Sequence, residues 1–469
     1  MDANIMERGY FTPNDPEILA ETDSLSIQNA VDAALKTGLG RVVIPRYNKR
    51  TGACQWDVDK AIILDSNLEI ILDNCYIRQM DGSMDNVFRN FVRGQERKTL
   101  EQEQHDIIIR GLGNAVIDGG ESNGLTEHNS RKNGLPSIDH NNMIFLHNLR
   151  NFRLEDFTLL HQRHWAINLC CVEEGRLSGL NIVCANDRQN QDGVDLRFGC
   201  NNIVIENMIG QSGDDFIALT AFMSEWAINQ YAVEGKSLDI HDVIIRNIKA
   251  TATECAVIAL RNQDGIKIYN ITIDTVHDVM TSADAVQEGS FVFGFEFNRY
   301  TQPRCPYALI RIGQDAWIRN VPCGPGDVHS IHVNNIHARC NSAIMLNMDI
   351  ENSYFGNIYA GNGVDRIISA NSCRARQIAG VNMRNTVFEN IFYECMDNPH
   401  SIAFDFAKNE KENFLENVEI RNAYLGNCVQ LVNMQHNGTL IMENIHGKNL
   451  KSNNFVREGA TVVLNGEIL

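Results

Sequence analysis

The sequence predicts a right-handed parallel β-helix, a single all-β solenoid of short strands closed at its N-terminal end by a helix. Three observations predict it. A phrase in which Ile, Val and Leu alternate with polar residues returns through most of the 469 residues. Successive phrases often start twenty-odd residues apart, the spacing of stacked repeats. The 34 glycines against 9 prolines, with Asn beside many of the apolar runs, fit strands and turns better than long helices.

The helix comes first. Residues 23–45, DSLSIQNAVDAALKTGLGRVVIP, read as an amphipathic helix followed by a strand. Ser24 or Ser26 is the expected cap, Ile27, Ala30, Val31, Ala34 and Leu35 form the apolar face, and Gly38 or Gly40 ends it. Such a helix cannot bury its face alone, so it is expected to plug the open end of the strand array. The expected organisation is an N-terminal segment over 1–60 and the β-helix over 61–469.

From residue 61 the phrases are AIILDSNLEIILDNCYI, then HDIIIRGLGNAVIDG from His105, LRNFRLEDFTLL from Leu149, EGRLSGLNIVC from Glu174 and NNIVIENMIG from Asn201. HDVIIRNI, DGIKIYNITI, VHSIHVNNIHA, NSYFGNIYA and RNTVFENIFY continue the series, which KENFLENVEIRNAYL and NGTLIMENIHG close. One coil exposes an apolar face, and stacking coils buries it while pairing every backbone group. Ile203 and Ile205 are expected inward, Val204 and Glu206 outward. Asn207, Asn247, Asn270 and Asn335 are expected at corners, where stacked Asn side chains can bond to one another. Two packed antiparallel sheets fit less well because Asn-Gly hairpins are scarce, and a leucine-rich repeat fits less well because the framework is Ile and Val. Residues 281–325 break the rhythm and are expected to form an elaborated loop region flanking a cleft.

Composition excludes several functions. A hydrophobic fraction of 43% can supply a large core, so a packed fold is expected. Acidic residues exceed basic ones by 59 to 41, a formal charge of -18, which argues against nucleic acid and anionic membrane as partners. A local group of Arg side chains can still receive an acidic sugar. No apolar run reaches eighteen residues and MDANIMERGYF carries no export pattern, so a cytoplasmic location is expected if Met1 is native, and a secreted or periplasmic mature form otherwise. The 13 cysteines include no CxxC pair and read as buried thiols of a reducing compartment.

Chemistry concentrates in NDRQNQDGVDLRFGCNNIVIENMIGQSGDDFIALT, residues 186–220. Asp192 and the pair Asp214 and Asp215 are one coil length apart, which is expected to return them to adjacent places on one outer face. Glycosidic cleavage needs a carboxylic acid for the leaving oxygen and a carboxylate for water or carbon. Carboxylates so grouped also suit a hard cation, with Asp195 as a fourth oxygen ligand. Asp195 has either a sugar-contacting role or a solvated position, and Arg197 can pair with it. His161, His164 and His277 are weaker candidates. Trp165 reads as core, whereas Trp226, Tyr307 and Trp317 are placed where an aromatic face can meet a sugar.

Asn190-Gln191-Asp192 followed by Gly213-Asp214-Asp215, with LHQRHWAINLC from Leu160, resembles the polygalacturonase family of glycoside hydrolases, on the pectin-lyase-like β-helix. SIQNAVDAA…GRVVIP resembles the end-capping start of pectin-acting members. The resemblance implies an inverting hydrolase of a pectic or related polysaccharide, with Asp214 as general acid and Asp192 and Asp215 directing the water. It implies no cofactor or metal, and a carbohydrate as partner. The family's first motif has Thr where Gln191 stands. Its Gly-His-Gly coil reads TATECAVIAL here, with Glu254 and Cys255 near the expected place, and its Arg-Ile-Lys reads Arg311-Ile312-Gly313. Asn190, Asp195, Arg197, Glu254, Arg311 and His164 are the candidate sugar-binding side chains. Two readings compete: a calcium-dependent polysaccharide lyase on the same fold, and a tailspike-like β-helix that binds glycan without cleaving it.

Overall fold

A computed structural model describes residues 3–184, 188, 190–221, 224–253, 255–263, 265–279, 308–313, 324–370, 381–396, 398–408 and 412–469, with the backbone of 291–292 and 295–296. The chain forms two units, Met1–Gly213 with Met223–Ser237, and Asp214–Phe222 with Leu238–Leu469. Both are built of right-handed parallel β-helix coils, the predicted fold class.

In the first unit the strands Arg41–Pro45, Leu68–Asp73, Gln104–Leu112, Ile144–Glu155, Ile167–Ser178 and Asn201–Ser212 stack in parallel. Their register sets Val42, Ile70, Ile109, Leu154, Leu177 and Ile205 in one column. Every one is withdrawn from solvent. Burying each such side chain contributes roughly 1.5–3 kcal/mol against the entropy of ordering the chain. In the second unit Ile245, Ile273, Val333, Phe355, Phe388, Ile420, Met442 and Leu464 form a matching column. Phe355 and Phe388 lie stacked within it, ring centres 4.8 Å apart.

The corners explain the Asn-rich phrases. Left-handed backbone recurs in pairs five residues apart: Asn151 and Asp156, Asn202 and Asn207, Asp242 and Asn247, Asn270 and Thr275, Ser330 and Asn335, Asn352 and Asn357, Asn385 and Asn390, Asn417 and Asn422. Asn and Asp tolerate this conformation best among residues with a side chain. Two columns of corners therefore bound a short flat face on each coil. The four predicted corner asparagines all have positive φ. Their partners are more mixed than the expected stack, since Asn207 donates to Ser178, Asn270 to Asp242 and Asn335 to Asp274. An uninterrupted Asn stack forms further on, Asn444 to Asn422 to Asn390 to Asn357, at 2.8–3.3 Å.

Ile203 and Ile205 point into the core and Val204 is half-buried. Glu206, expected outward, is buried because Arg176 folds over it, Nε donating to Oε1 at 2.8 Å. The capping helix spans Asp23–Thr37 and ends at Gly38 with φ 74°. Its cap is Thr22, whose hydroxyl accepts from the Leu25 amide at 3.1 Å. Ser24 and Ser26 are used elsewhere: Ser24 donates to Asp59, and Ser26 donates to the Thr22 carbonyl. Ile27, Ala30, Val31 and Ala34 face the first coils, while Leu35 is half-buried.

The loop expected over 281–325 lies largely outside the described residues, as do Tyr307 and Trp317. Of the described cysteines, Cys54 is exposed and the others are buried free thiols. Among the described residues no helix is long and apolar enough to cross a membrane.

Candidate active site

The first unit holds Asn190, Gln191 and Asp192 on the turn before the strand Val194–Arg197. Gln191 is fully buried and its Nε2 donates to the Gln162 carbonyl at 2.8 Å. Gln162 returns the contact, its Nε2 reaching the Gln191 and Asp192 carbonyls at 3.2 and 3.3 Å. The Ala166 amide also donates to the Asp192 carbonyl, at 3.0 Å. The longer amide at 191, where the family has Thr, thus ties this turn to the preceding coil.

Asp192, Asp195 and Arg197 are all buried, which removes the solvated reading of Asp195. Asp195 sits in register beside Asn168. The Arg197 guanidinium lies over two rings, 5.1 Å from Trp165 and 5.8 Å from Tyr231. Trp165 is therefore not core. It is half-buried, with the His164 ring stacked on it, centroids 5.0 Å apart.

His164 is buried, with Nδ1 2.9 Å from Asn142 Oδ1 and Nε2 3.7 Å from Glu127. Asn190 donates to that same Glu127 carboxylate at 3.0 Å. The neighbouring His164 imidazole holds the Glu127 carboxyl below its ordinary range, against the opposing effect of desolvation. Glu127 and Tyr231 went unseen in the sequence because both lie where no periodic phrase exists. Tyr231 ends the helix Glu225–Tyr231, which belongs to the first unit. Its hydroxyl donates to Asp139 and receives Arg93 Nη1 at 3.0 Å. His147 Nε2 holds the Tyr231 carbonyl at 2.7 Å.

The second unit holds Asp214 and Asp215 at the start of the strand Ile217–Ala221. Asp215 is fully buried and Asp214 half-buried. The Asp215 amide donates to Asp214 Oδ1 at 3.0 Å. On the next coil the Ala256 amide donates to Asp215 Oδ1 at 2.9 Å, and Arg261 pairs with Oδ2. Burial pushes the Asp215 carboxyl up to about 6; Asp214 adds to that rise, and Arg261 and Arg311 oppose it. The two acids and the Cys255 thiol lie within 4.8 Å of one another. Burial lifts the Cys255 thiol well above its usual range. A protonated thiol and a guanidinium on Asp215 make a poor setting for a hard divalent cation, which prefers several oxygens.

Arg311 is buried, and its Nε donates to Asn347 Oδ1 at 3.0 Å. The family's Lys has no room two residues on. Gly313 has φ +101°, and a Cβ there would fall 2.5 Å from Met348 Cγ and 2.7 Å from the Met348 amide nitrogen. Glu254 lies outside the described residues. His161 bonds Asp118 at 3.0 Å, and His277 stacks on His337 at 4.2 Å. Trp226 is half-buried with Arg131 over its ring.

Residues 93–236 match the family model described as glycosyl hydrolases family 28. Over that stretch, less than half of its length, the chain is similar to the family. Among solved structures, the chain is similar to the family 28 exopolygalacturonase of Yersinia enterocolitica at 12% identity and TM-score 0.54, covering 98% of this chain and 79% of that one. It is similar to a mutant tailspike protein of E. coli bacteriophage HK620 in complex with a hexasaccharide, at 14% identity and TM-score 0.61, covering 98% and 81%. The polygalacturonase of Erwinia carotovora ssp. carotovora aligns at 13% identity and TM-score 0.50, over 92% and 94%. At these identities the structures speak for the fold. No curated protein sequence matches the chain.

Proposed function

We propose that this protein is an inverting glycoside hydrolase acting on a pectic or related poly- or oligosaccharide. Asp214 is the general acid, and Asp192 and Asp215 orient and deprotonate the attacking water. The observation that carries this reading is the unequal pair Asp214 and Asp215. Adjacent carboxyls have different surroundings, one half-buried and one enclosed by an amide and a guanidinium. Environments that separate two acids suit acid and base roles near neutral pH. Asp214 is the one that solvent and a sugar oxygen can reach.

The substrate follows from the cations. Arg311 and Arg261 stand near the acids in a chain of formal charge -18, so an acidic sugar meets local positive charge. With glycine at 313, that charge comes from guanidinium groups and not from the family's ammonium.

The test is incubation with a panel of oligogalacturonides and other glycans, following products and anomeric configuration by NMR. Inverted products are expected, and Asp214→Asn should lower kcat by about 10²–10⁴ while melting stays close to wild type. Full turnover by Asp214→Asn would remove the acid assignment. Calcium-dependent unsaturated products would make the protein a lyase, and binding without products would make it a glycan-binding β-helix.

A further inference from the structure

Asp215 presents a physical problem that its neighbours solve. A carboxylate with no exposure to solvent is costly to ionise, and a second carboxyl beside it adds to the cost. One amide hydrogen bond, from Ala256, is too little to hold a full charge in such a place. Arg261 supplies the rest. It stands on the strand Ala256–Asn262, in register with Thr220, and its guanidinium reaches back along the coil to Asp215. The Arg261 side chain keeps 17% of its surface open while Asp215 keeps none, so one end of the pair stays hydrated.

We propose that Arg261 is a positioning residue of the site, whose ion pair keeps Asp215 ionised where it has no solvent. The proposal rests on the hydrolytic reading of this pair. Among the described residues of the second unit, the titratable or charged groups that face Asp215 are Asp214 from its own segment, Cys255 and Arg261 from the next coil, and Arg311 from the strand Ala308–Ile312. Asp214 favours the protonated form of Asp215, and the two guanidiniums favour the charged form. Arg261 pairs directly with Asp215 Oδ2, and Arg311 donates its Nε to Asn347. Arginine suits the role because its fork is planar and always charged. The sequence placed Glu254 and Cys255 near the missing family His; the cation of this coil comes six residues beyond Cys255.

The test reads Asp215 directly. Protein labelled with ¹³C-aspartate is titrated by infrared spectroscopy, and the Asp215 band is isolated by subtracting the Asp215→Asn variant. In Arg261→Gln the Asp215 midpoint should rise by at least about one pH unit, roughly a tenfold change in its ionisation equilibrium. Arg261→Lys should restore at least about half of that shift, since the charge returns without the fork. An unmoved midpoint in a folded Arg261→Gln overturns the proposal. If that variant does not fold, Arg261→Met is titrated in its place, and unfolding of both neutral variants makes the pair structural and overturns the proposal. Turnover of oligogalacturonides is followed in parallel. A moved midpoint with a fully active Asp214→Asn overturns the acid assignment of Asp214 and leaves the ion pair standing, whereas an unmoved midpoint with an inactive Asp214→Asn overturns the ion-pair role alone.

Discussion

The strands that carry the candidate site have two faces with opposite habits. On the inward face of the second unit, Ile217, Ile258, Ile310, Ile344 and Ile368 stack in one column without a change of residue type. One position further along the same strands, the column reads Ala218, Ala259, Arg311, Met345 and Ser369. The first unit repeats the contrast. Ile144, Ile167 and Val194 stack inward beside Leu146, Leu169 and Leu196, while Phe145, Asn168 and Asp195 occupy the position between them. A column that only fills space can repeat one residue, because every coil offers it the same hole. A column that contacts something other than the next coil cannot.

The sharpest way to break this contrast is to alter neighbours on the same strand. Ile310→Ala should cost about 2–5 kcal/mol of unfolding free energy, since the cavity lies between two close-packed isoleucines. Denaturant titration checks it, and a loss under 1 kcal/mol would mean that the column relaxes freely. Arg311→Met should do the reverse, with a smaller change in stability and a weaker KM for an acidic oligosaccharide. If both variants act mainly on stability, the two faces do not divide labour as argued.

What the sequence revealed follows the same division. The inward columns and the left-handed corners were legible because each coil repeats them, and the candidate acids stand out because they lie on the phrase that most resembles a known family. Glu127, Tyr231 and Arg261 were not. Glu127 and Tyr231 come from irregular segments, and Arg261 is one charged residue at the end of an apolar strand, indistinguishable in sequence from a solvated strand end. Trp165 was misread for a related reason: the alternation that marks a core strand begins only after it, and its ring belongs with His164 and Arg197. Thr22 was missed as the cap because three hydroxyl residues within five positions can each serve, and only the fold shows that Ser24 is engaged with Asp59.

The outward face of the first unit also carries a titration that the inward face lacks. His147 is fully buried, and burial lowers it from 6.5 to about 4, against the favourable bond from Nε2 to the Tyr231 carbonyl. A base depressed in the folded state contributes stability that is present above its unfolded value and is lost as pH falls. Between pH 6.5 and 4 the loss should approach about 3 kcal/mol, from roughly 1.36 kcal/mol per pH unit. Unfolding free energies at pH 7 and pH 4.5 should therefore differ more for the wild type than for His147→Gln. Equal differences in the two proteins would place the acid sensitivity in other groups.

The smallest expected effect lies at the corners, which belong to neither face. Asn390 has φ +55°, donates to Asn357 and accepts from Asn422, both at 3.3 Å. Asn390→Ala should cost about 1–2 kcal/mol, because alanine in left-handed backbone is strained and the stack loses a member. Asn390→Gly relieves the backbone but not the lost bonds, so it should cost less than Asn390→Ala by a few tenths of a kcal/mol to about 1 kcal/mol. The order of the two variants separates the causes. If glycine is the more damaging, the amide stack and not the turn conformation is what holds the corner, and the Asn-rich phrases would then mark a hydrogen-bonded spine instead of a steric requirement repeated coil by coil.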